Sequence, residues 1–269
     1  MCIRDRMNYN KICEIFRSLA LTSGEVIMDI YNSDKLEVLL KSDESPVTLA
    51  DKKADEVISN GLKKYFPEIP IITEEQVKTH ALNAPVFFII DPLDGTKEFI
   101  KRRGDFTVNI ALVRHGEPVR GIVYAPARQR LFYTSADGNA VEEIGCFSVS
   151  KMGSLKKIRT AFSDNAALKV VASKSHRNAE TDQYISKYKC KELVSAGSSL
   201  KFCLIATGEA DLYPRFGPTM EWDTAAGHAV LSAAGGRVVQ VENKQCLEYG
   251  KPNYRNPFFI AASKNVILQ

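Results

Sequence analysis

Asp91-Pro92-Leu93-Asp94-Gly95-Thr96 sets two carboxylates close together directly after a wholly apolar run, Val86-Phe87-Phe88-Ile89-Ile90. A short apolar run of this kind is consistent with a buried strand, so Asp91 is expected at a strand end. Pro92 has no N–H for a sheet ladder and is expected to stop the strand there. Gly95 permits a tight turn, and Thr96-Lys97-Glu98-Phe99 can then open a helical turn. Hard cations such as Mg2+ take carboxylate and carbonyl oxygens, and phosphate takes the free N–H groups at a helix start. Both demands meet in this segment, although a solvated Asp-rich turn accounts for the same residues equally well when they are taken alone.

Two further acidic positions bear on the choice. Glu74, with Glu75 beside it, ends a strand-like run over residues 69–73; by itself the pair reads as acidic residues favouring a helix dipole. Asp223 lies in Trp222-Asp223-Thr224-Ala225-Ala226-Gly227, a small-residue helix start that lets backbone or ligand approach closely; by itself it reads as a plain N-cap. His80, His115 and His228 have no partner pattern and read as structural or exposed.

Positioning these groups requires a framework, and hydrophobic periodicity outlines one. Ile12, Phe16, Leu19, Ile27 and Ile30 mark an amphipathic helix over residues 8–32. Residues 36–41 read as a short strand. Thr48, with Pro46 before it and Asp51 in the first turn, opens a second helix reaching about residue 66. Strand signals at 69–73 and 86–90 are followed by a strand-rich stretch at 106–114, 119–124 and 131–134, which Gly116 and Pro126 punctuate and which suggests an antiparallel meander. Beyond residue 151 the strands expected at 168–172, 193–196, 210–213, 237–241 and 258–262 alternate with helices at 179–188, 199–207 and 224–234. The expected fold is a layered α+β and α/β sandwich of alternating helix and sheet layers. Residues 7–150 would form an α+β lobe with the metal-site carboxylates, and residues 151–269 an α/β lobe with substrate-side residues. The first six residues, Met1-Cys2-Ile3-Arg4-Asp5-Arg6, look unrelated to the rest of the chain, and Met7 is the expected natural start.

Composition narrows the function classes. The 269 residues, 45% hydrophobic and 25% charged, suffice for a sizeable core in one large domain or two packed lobes. Thirty-six Lys and Arg against 32 Asp and Glu give +4 with no long block of like charge. A nucleic-acid polymer or polybasic membrane anchor is therefore unsupported, whereas a small anionic substrate fits. No 18-residue apolar stretch or secretory signal is visible, so no transmembrane segment is expected. The six cysteines include no CxxC pair or zinc spacing and read as reduced thiols, most of them buried. A cytoplasmic setting follows, with peripheral attachment at the inner face of the membrane and the oligomeric state left open.

Glu74-Glu75, the Asp91–Thr96 segment and the Trp222–Gly227 segment, in that order and at those separations, resemble the inositol monophosphatase-like superfamily over residues 7–269. Lys41-Ser42-Asp43-Glu44-Ser45-Pro46-Val47-Thr48-Leu49-Ala50-Asp51, Gly95-Thr96-Lys97-Glu98-Phe99, Ser173-Lys174-Ser175-His176-Arg177 and the stretch from Pro214 to Asp223 are similar to its 3'(2'),5'-bisphosphate nucleotidase branch. The resemblance implies that Glu74, Asp91 and the Leu93 carbonyl hold one Mg2+. Asp91, Asp94 and Asp223 would hold a second, with Asp91 bridging, and turnover would use two or three ions. Two metals about 4 Å apart can clamp the attacking and leaving oxygens of an in-line displacement. Asp51, Thr96 and Glu74 would be the catalytic residues, Thr96 orienting a metal-activated water and Asp51 accepting the Thr96 hydrogen bond. Leu93, Asp94, Gly95, Thr96 and Asp223 would contact substrate, with the Gly95 and Thr96 amides on the scissile phosphate. His176, Lys201 and Arg215 are the candidates for the second phosphate or the base; a surface histidine, a solvated lysine and a surface ion pair are the respective alternatives. Sensitivity to lithium is also implied.

The expected activity is therefore hydrolysis of adenosine 3',5'-bisphosphate, a small nucleotide bisphosphate, to AMP and phosphate. An inositol monophosphatase is the alternative within the same chemistry, and a non-catalytic metal- and nucleotide-binding regulator the alternative outside it. The Asp51 and Thr96 pair argues against the regulator, since a pure binder needs no water-activating pair. Lys97-Glu98 argues against the inositol enzyme, which typically carries neutral residues there.

Overall fold

Asn8 begins the first helix by accepting the Lys11 N–H at 3.1 Å, an N-cap that satisfies one of the free amides of a helix start. The structure, a computed structural model, describes residues 7–33, 38–40, 46–173, 175 and 177–269. Helix α1 spans Tyr9–Tyr31 and buries Ile12, Phe16, Leu19 and Ile27. A short antiparallel hairpin, β1 (Val38–Leu40) and β2 (Pro46–Thr48), leads into α2 (Leu49–Tyr65). Thr48 and Asp51 form a reciprocal capping box at the start of α2, so both ends of that expectation hold.

Next come β3 (Ile71–Thr73), β4 (Val86–Asp94), α3 (Thr96–Ile100), β5 (Thr107–Arg114), β6 (Glu117–Ala125), β7 (Arg130–Thr134), β8 (Ala140–Ile144) and β9 (Ser154–Lys157). The seven strands form one sheet in chain order, β3 parallel to β4 and the rest an antiparallel meander. Pro92 does not stop β4. The strand continues to Asp94 through a bulge, with Asp91 opposite Asn109 and Asp94 opposite Thr107. Pro is tolerated at a bulge because the irregular ladder requires no N–H there.

The second sheet contains β10 (Leu168–Ser173), β11 (Cys190–Ala196), β12 (Leu212–Arg215), β13 (Gly236–Gln240) and β14 (Phe259–Ser263), in the order β11-β10-β12-β14-β13. Helices α4 (Ala179–Ile185), α5 (Leu200–Ala206) and α6 (Ala225–Ala233) alternate with these strands. The sheets change over between Lys157 and Leu168 rather than at residue 150, because β9 still pairs with β8.

Side-chain alternation explains the layering. Phe88, Ile90, Ile110 and Leu112 pack with α1 and α2, whereas Phe87, Ile89, Ala111 and Val113 share a second core with Phe202, Val230 and Phe259. A third core, including Tyr184, Ile185, Leu212 and Ile260, places α4 on the outer face of the second sheet. Helix and sheet layers therefore alternate, and the central strands read as unbroken apolar runs because both faces are covered. Among the described cysteines only Cys203 is buried, while Cys146, Cys190 and Cys246 are exposed, against the expectation that most would be buried. No helix among the described residues is long and apolar enough to cross a membrane.

Helix α6 lies tight against β6. A Cβ on Gly121 would stand 2.5 Å from the Ala226 carbonyl oxygen and 2.9 Å from its Cα. Backbone cannot yield as a side chain can, so Gly121→Ala should destabilise the fold by about 1–3 kcal/mol through overpacking. Denaturant unfolding with an unchanged midpoint would show that this approach is not constraining.

Candidate active site

Three separate elements deliver the carboxylates: Glu74, Asp94 and Asp223 line one cleft of about 830 Å³, and Asp91 lies with Glu74 and Asp223. Glu74 follows β3, with its N–H on the Ile90 carbonyl at 3.2 Å. Asp91 and Asp94 flank the β4 bulge. Residues three apart on a regular strand face opposite ways, but the extra residue of a bulge re-aims the strand, and both carboxylates come to the neighbourhood of Glu74. Asp223 lies before α6, its Oδ2 accepting the Met220 N–H at 2.9 Å. The N-cap position of α6 belongs to Thr224, so Asp223 is not spent on capping.

Glu74, Asp91 and Asp223 offer carboxylate oxygens that all lie within 4.8 Å of one another. Asp94 stands beside this triple. Burial pushes its carboxyl up to about 6, with Glu74 acting in the same direction and Lys201 opposing it. Asp223 is raised well above the ordinary carboxylate range by burial, then by Asp94 and Glu74. An oxygen-only, anionic, partly desolvated donor set fits a hard divalent cation and offers nothing to a soft one. At the bulge the Leu93 carbonyl lies 3.4 Å from the Thr96 hydroxyl, and the Leu93 N–H donates to Asp91 Oδ1 at 3.1 Å.

Thr96 stands at the start of α3. Its hydroxyl donates to Asp51 Oδ1 at 3.0 Å, while Asp51 Oδ2 accepts the Thr48 N–H at 2.7 Å and hydroxyl at 2.6 Å. Burial raises the Asp51 carboxyl, and these hydrogen bonds from Thr48 and Thr96 oppose the rise. Gly95 adopts φ 93°, a conformation that favours glycine, and a side chain there would collide with Ser198.

For two of the substrate-side candidates the burial removes the surface alternatives. Lys201 is buried, not solvated. Its Nζ donates to the Ser198 carbonyl at 2.6 Å, and burial lowers it to about 8 against the opposing pull of Asp94. Arg215 is likewise buried rather than at the surface; it donates to the Pro218 carbonyl at 2.9 Å, and its Nε has no hydrogen-bond partner among the described residues. Both line the cleft. His176 and residues 41–45 lie outside the described residues.

Several site residues carried no individual signal. The single proton of the Ser199 hydroxyl is shared between the Asp223 carbonyl at 2.7 Å and Asp94 Oδ2 at 3.2 Å, which ties the two halves of the cluster together. Asn109 donates to Ser199 Oγ at 3.0 Å and to Asp94 Oδ2 at 3.4 Å; an amide inside the apolar strand β5 is the clue that was available. His80, expected to be structural or exposed, lines the cleft, stacks on Trp222 at 4.7 Å between ring centroids and pairs with the Thr73 carbonyl at 2.9 Å. His228 is buried against the Tyr249 hydroxyl at 3.0 Å and is structural as expected.

A family model for the inositol monophosphatase family matches residues 8–268. The 3'(2'),5'-bisphosphate nucleotidase CysQ of Escherichia coli (strain K12) is 43% identical over 256 residues, which cover 93% of this chain and 97% of that relative. The crystal structure of CysQ from Bacteroides thetaiotaomicron superimposes with a TM-score of 0.81 at 38% identity, covering 97% of this chain and all of the other (100%). An inositol monophosphatase from Zymomonas mobilis, 24% identical with a TM-score of 0.77 over 97% of this chain and 96% of its own, shares the fold.

Asp91→Asn keeps the oxygen that accepts the Leu93 N–H and removes the charge. We expect calorimetric Mg2+ binding to weaken by at least about a hundredfold with the metal-free melting temperature held; unchanged binding would remove Asp91 from the ligand set. The carboxylate cluster also sets a pH dependence. Asp94 rises from 3.8 to about 6, so between those values the folded chain binds more protons than the unfolded one. Stability of the metal-free protein should therefore increase as pH falls from 7 towards 5. Mg2+ at pH 7.5 should recover the loss, and Asp94→Asn should flatten the profile. A metal-free melting temperature that falls with pH across this window would contradict the assignment.

Proposed function

The chain belongs to the inositol monophosphatase family, and from that premise we propose that it hydrolyses adenosine 3',5'-bisphosphate to AMP and phosphate with Mg2+ as its metal. The observation that carries the catalytic reading is the Thr96–Asp51 hydrogen bond at 3.0 Å beside the convergence of Glu74, Asp91 and Asp223. A hydroxyl has one proton to donate. Thr96 gives it to Asp51, which leaves its lone pairs to accept from a water and so turns that water's own lone pair toward the phosphorus. Asp51, buried and raised, is placed to receive the proton that water loses, through Thr96. Bound divalent cations supply positive charge that acidifies water and neutralises phosphate oxygens.

Glu74, Asp91, Asp94 and Asp223, with the Leu93 carbonyl, are the residues that would hold the metal. The amides of Gly95 and Thr96, at the start of α3, would take the scissile phosphate together with the metal ligands. Lys201 and Arg215 supply the cationic wall of the same cleft, where a second phosphate gains charge-assisted hydrogen bonds. Two cations lining the cleft beside the carboxylates, Lys201 acting on Asp94 and Arg215 on Asp223, support a bisphosphate over a monophosphate, and the E. coli and Bacteroides relatives named above point the same way. A water-orienting pair has no use in a non-catalytic binder.

A phosphate-release assay across a substrate panel tests this. We expect adenosine 3',5'-bisphosphate to exceed inositol 1-phosphate in kcat/KM by at least about a hundredfold, as two charge-assisted contacts of roughly 1.5–3 kcal/mol each would give. Lys201→Ala should narrow the gap by harming the nucleotide alone. Thr96→Ala should cut kcat by about a hundredfold or more with little change in KM. Equal rates on the two substrates would refute the nucleotide assignment and leave the phosphatase assignment standing.

A further inference from the structure

Helix α2 carries a second buried carboxylate one turn beyond Asp51, and nothing in the mechanism above uses it. Asp55 is 4% exposed. Its Oδ1 accepts the Thr73 hydroxyl at 2.5 Å, and its Oδ2 accepts the Gln76 carboxamide at 2.7 Å. Ser59, a further turn along, donates to Oδ1 at 3.3 Å and receives Gln76 Nε2 at the same distance. Thr73 and Gln76 bracket Glu74, one residue before it and two after. The two oxygens of one carboxylate thus hold both sides of the turn that presents Glu74, whose own N–H is fixed to β4 at the Ile90 carbonyl.

We propose that Asp55 is a positioning residue for the metal site, setting the Glu74 carboxylate relative to Asp91 and Asp223. Burying a carboxylate is expensive unless its hydrogen bonds offset the cost, and three neutral side chains do so here; an ionised acceptor makes those bonds shorter and stronger than a neutral amide would. The grip is therefore stiff where stiffness matters, because Glu74 must be held against the repulsion of Asp91 and Asp223. Asp51 and Asp55 are neighbours on one helix face. One rigid rod thus fixes the hydroxyl of Thr96 and the carboxylate of Glu74 together, and both halves of the site share a common reference.

The positioning role rests on Glu74 being a metal ligand, and the test separates the two. In the full-length protein without substrate, Mn2+ binding is followed by electron paramagnetic resonance, alongside metal-free melting and the Mg2+ concentration for half-maximal phosphate release. Glu74→Gln is the reference. We expect Asp55→Asn to weaken Mn2+ binding about tenfold and to raise the Mg2+ requirement in parallel, with kcat at saturating Mg2+ within about threefold of wild type. Thr73→Val, which removes the donor, should act in the same direction, and Thr73→Ser, which restores it, should recover binding. The Thr73 pair carries the test if Asp55→Asn fails to fold. Weak binding in Glu74→Gln with normal binding in Asp55→Asn and Thr73→Val overturns the positioning role alone. Normal binding in Glu74→Gln overturns the ligand assignment, and the positioning role with it.

Discussion

Glu74, Asp91 and Asp223 bring their carboxylates within 4.8 Å of one another, and two unit charges at that separation repel by about 3 kcal/mol at an effective dielectric of 20. Left to the chain, such groups would swing apart into water. Each is instead fixed by its backbone: Glu74 by a turn bonded to β4, Asp91 by a bulge in the middle of a sheet, Asp223 by the tight bend before α6. Much of the architecture can be understood as the means of holding that repulsion until a cation relieves it. The cores on the two faces of the first sheet keep β4 from relaxing its bulge, and the close approach of Gly121 to Ala226 keeps α6 from retreating.

The hydrogen bonds around the cluster follow the same logic. Ser199 bridges Asp94 to the Asp223 backbone, Asn109 supports Ser199, and Lys201 places one ammonium behind the acidic wall. Where Ser199 and Asn109 meet Asp94 itself, neutral donors face a carboxylate, the arrangement in which a hydrogen bond is strongest. The Thr96–Asp51 pair on α2 and α3 still feels the cluster, since Glu74 adds to burial in raising Asp51, and the Thr48 capping box holds Asp51 independently of any metal.

Much of this was legible in the sequence, and the remainder was hidden for identifiable reasons. The capping box at Thr48 and Asp51, the helix from Tyr9 and the acidic turn after Ile90 are local signals, readable because propensity and periodicity act over a few residues. The bulge across Pro92 was not legible, since a proline ends or bends a strand according to the register of a partner elsewhere in the chain. β8 and β9 escaped because Glu142, Glu143, Lys156 and Lys157 break the apolar alternation; burial of Glu143 is offset by a two-pronged ion pair with Arg17, a partner no local pattern discloses. Lys201 looked like any helical lysine, and only the packing of α5 between the sheets decided that it would be buried. The bisphosphate nucleotidase likeness came from motifs rather than periodicity, so it pointed to the carboxylates that converge and not at all to the Ser199 and Asn109 supports.

The change of sheet between Lys157 and Leu168 has a consequence for biogenesis. Glu74 and Asp91 are complete once the first sheet has formed, but Asp223 arrives on a segment wedged between the two sheets. A nascent chain therefore carries an unfinished binding site through most of its synthesis. By mass action a ligand stabilises only the state that binds it, so a divalent cation would lend little to the partly made chain and its full contribution to the docked one. A cation held by all three carboxylates would then act as a late fastener between layers made at different times, and a truncated or misdocked product would lack the complete ligand set.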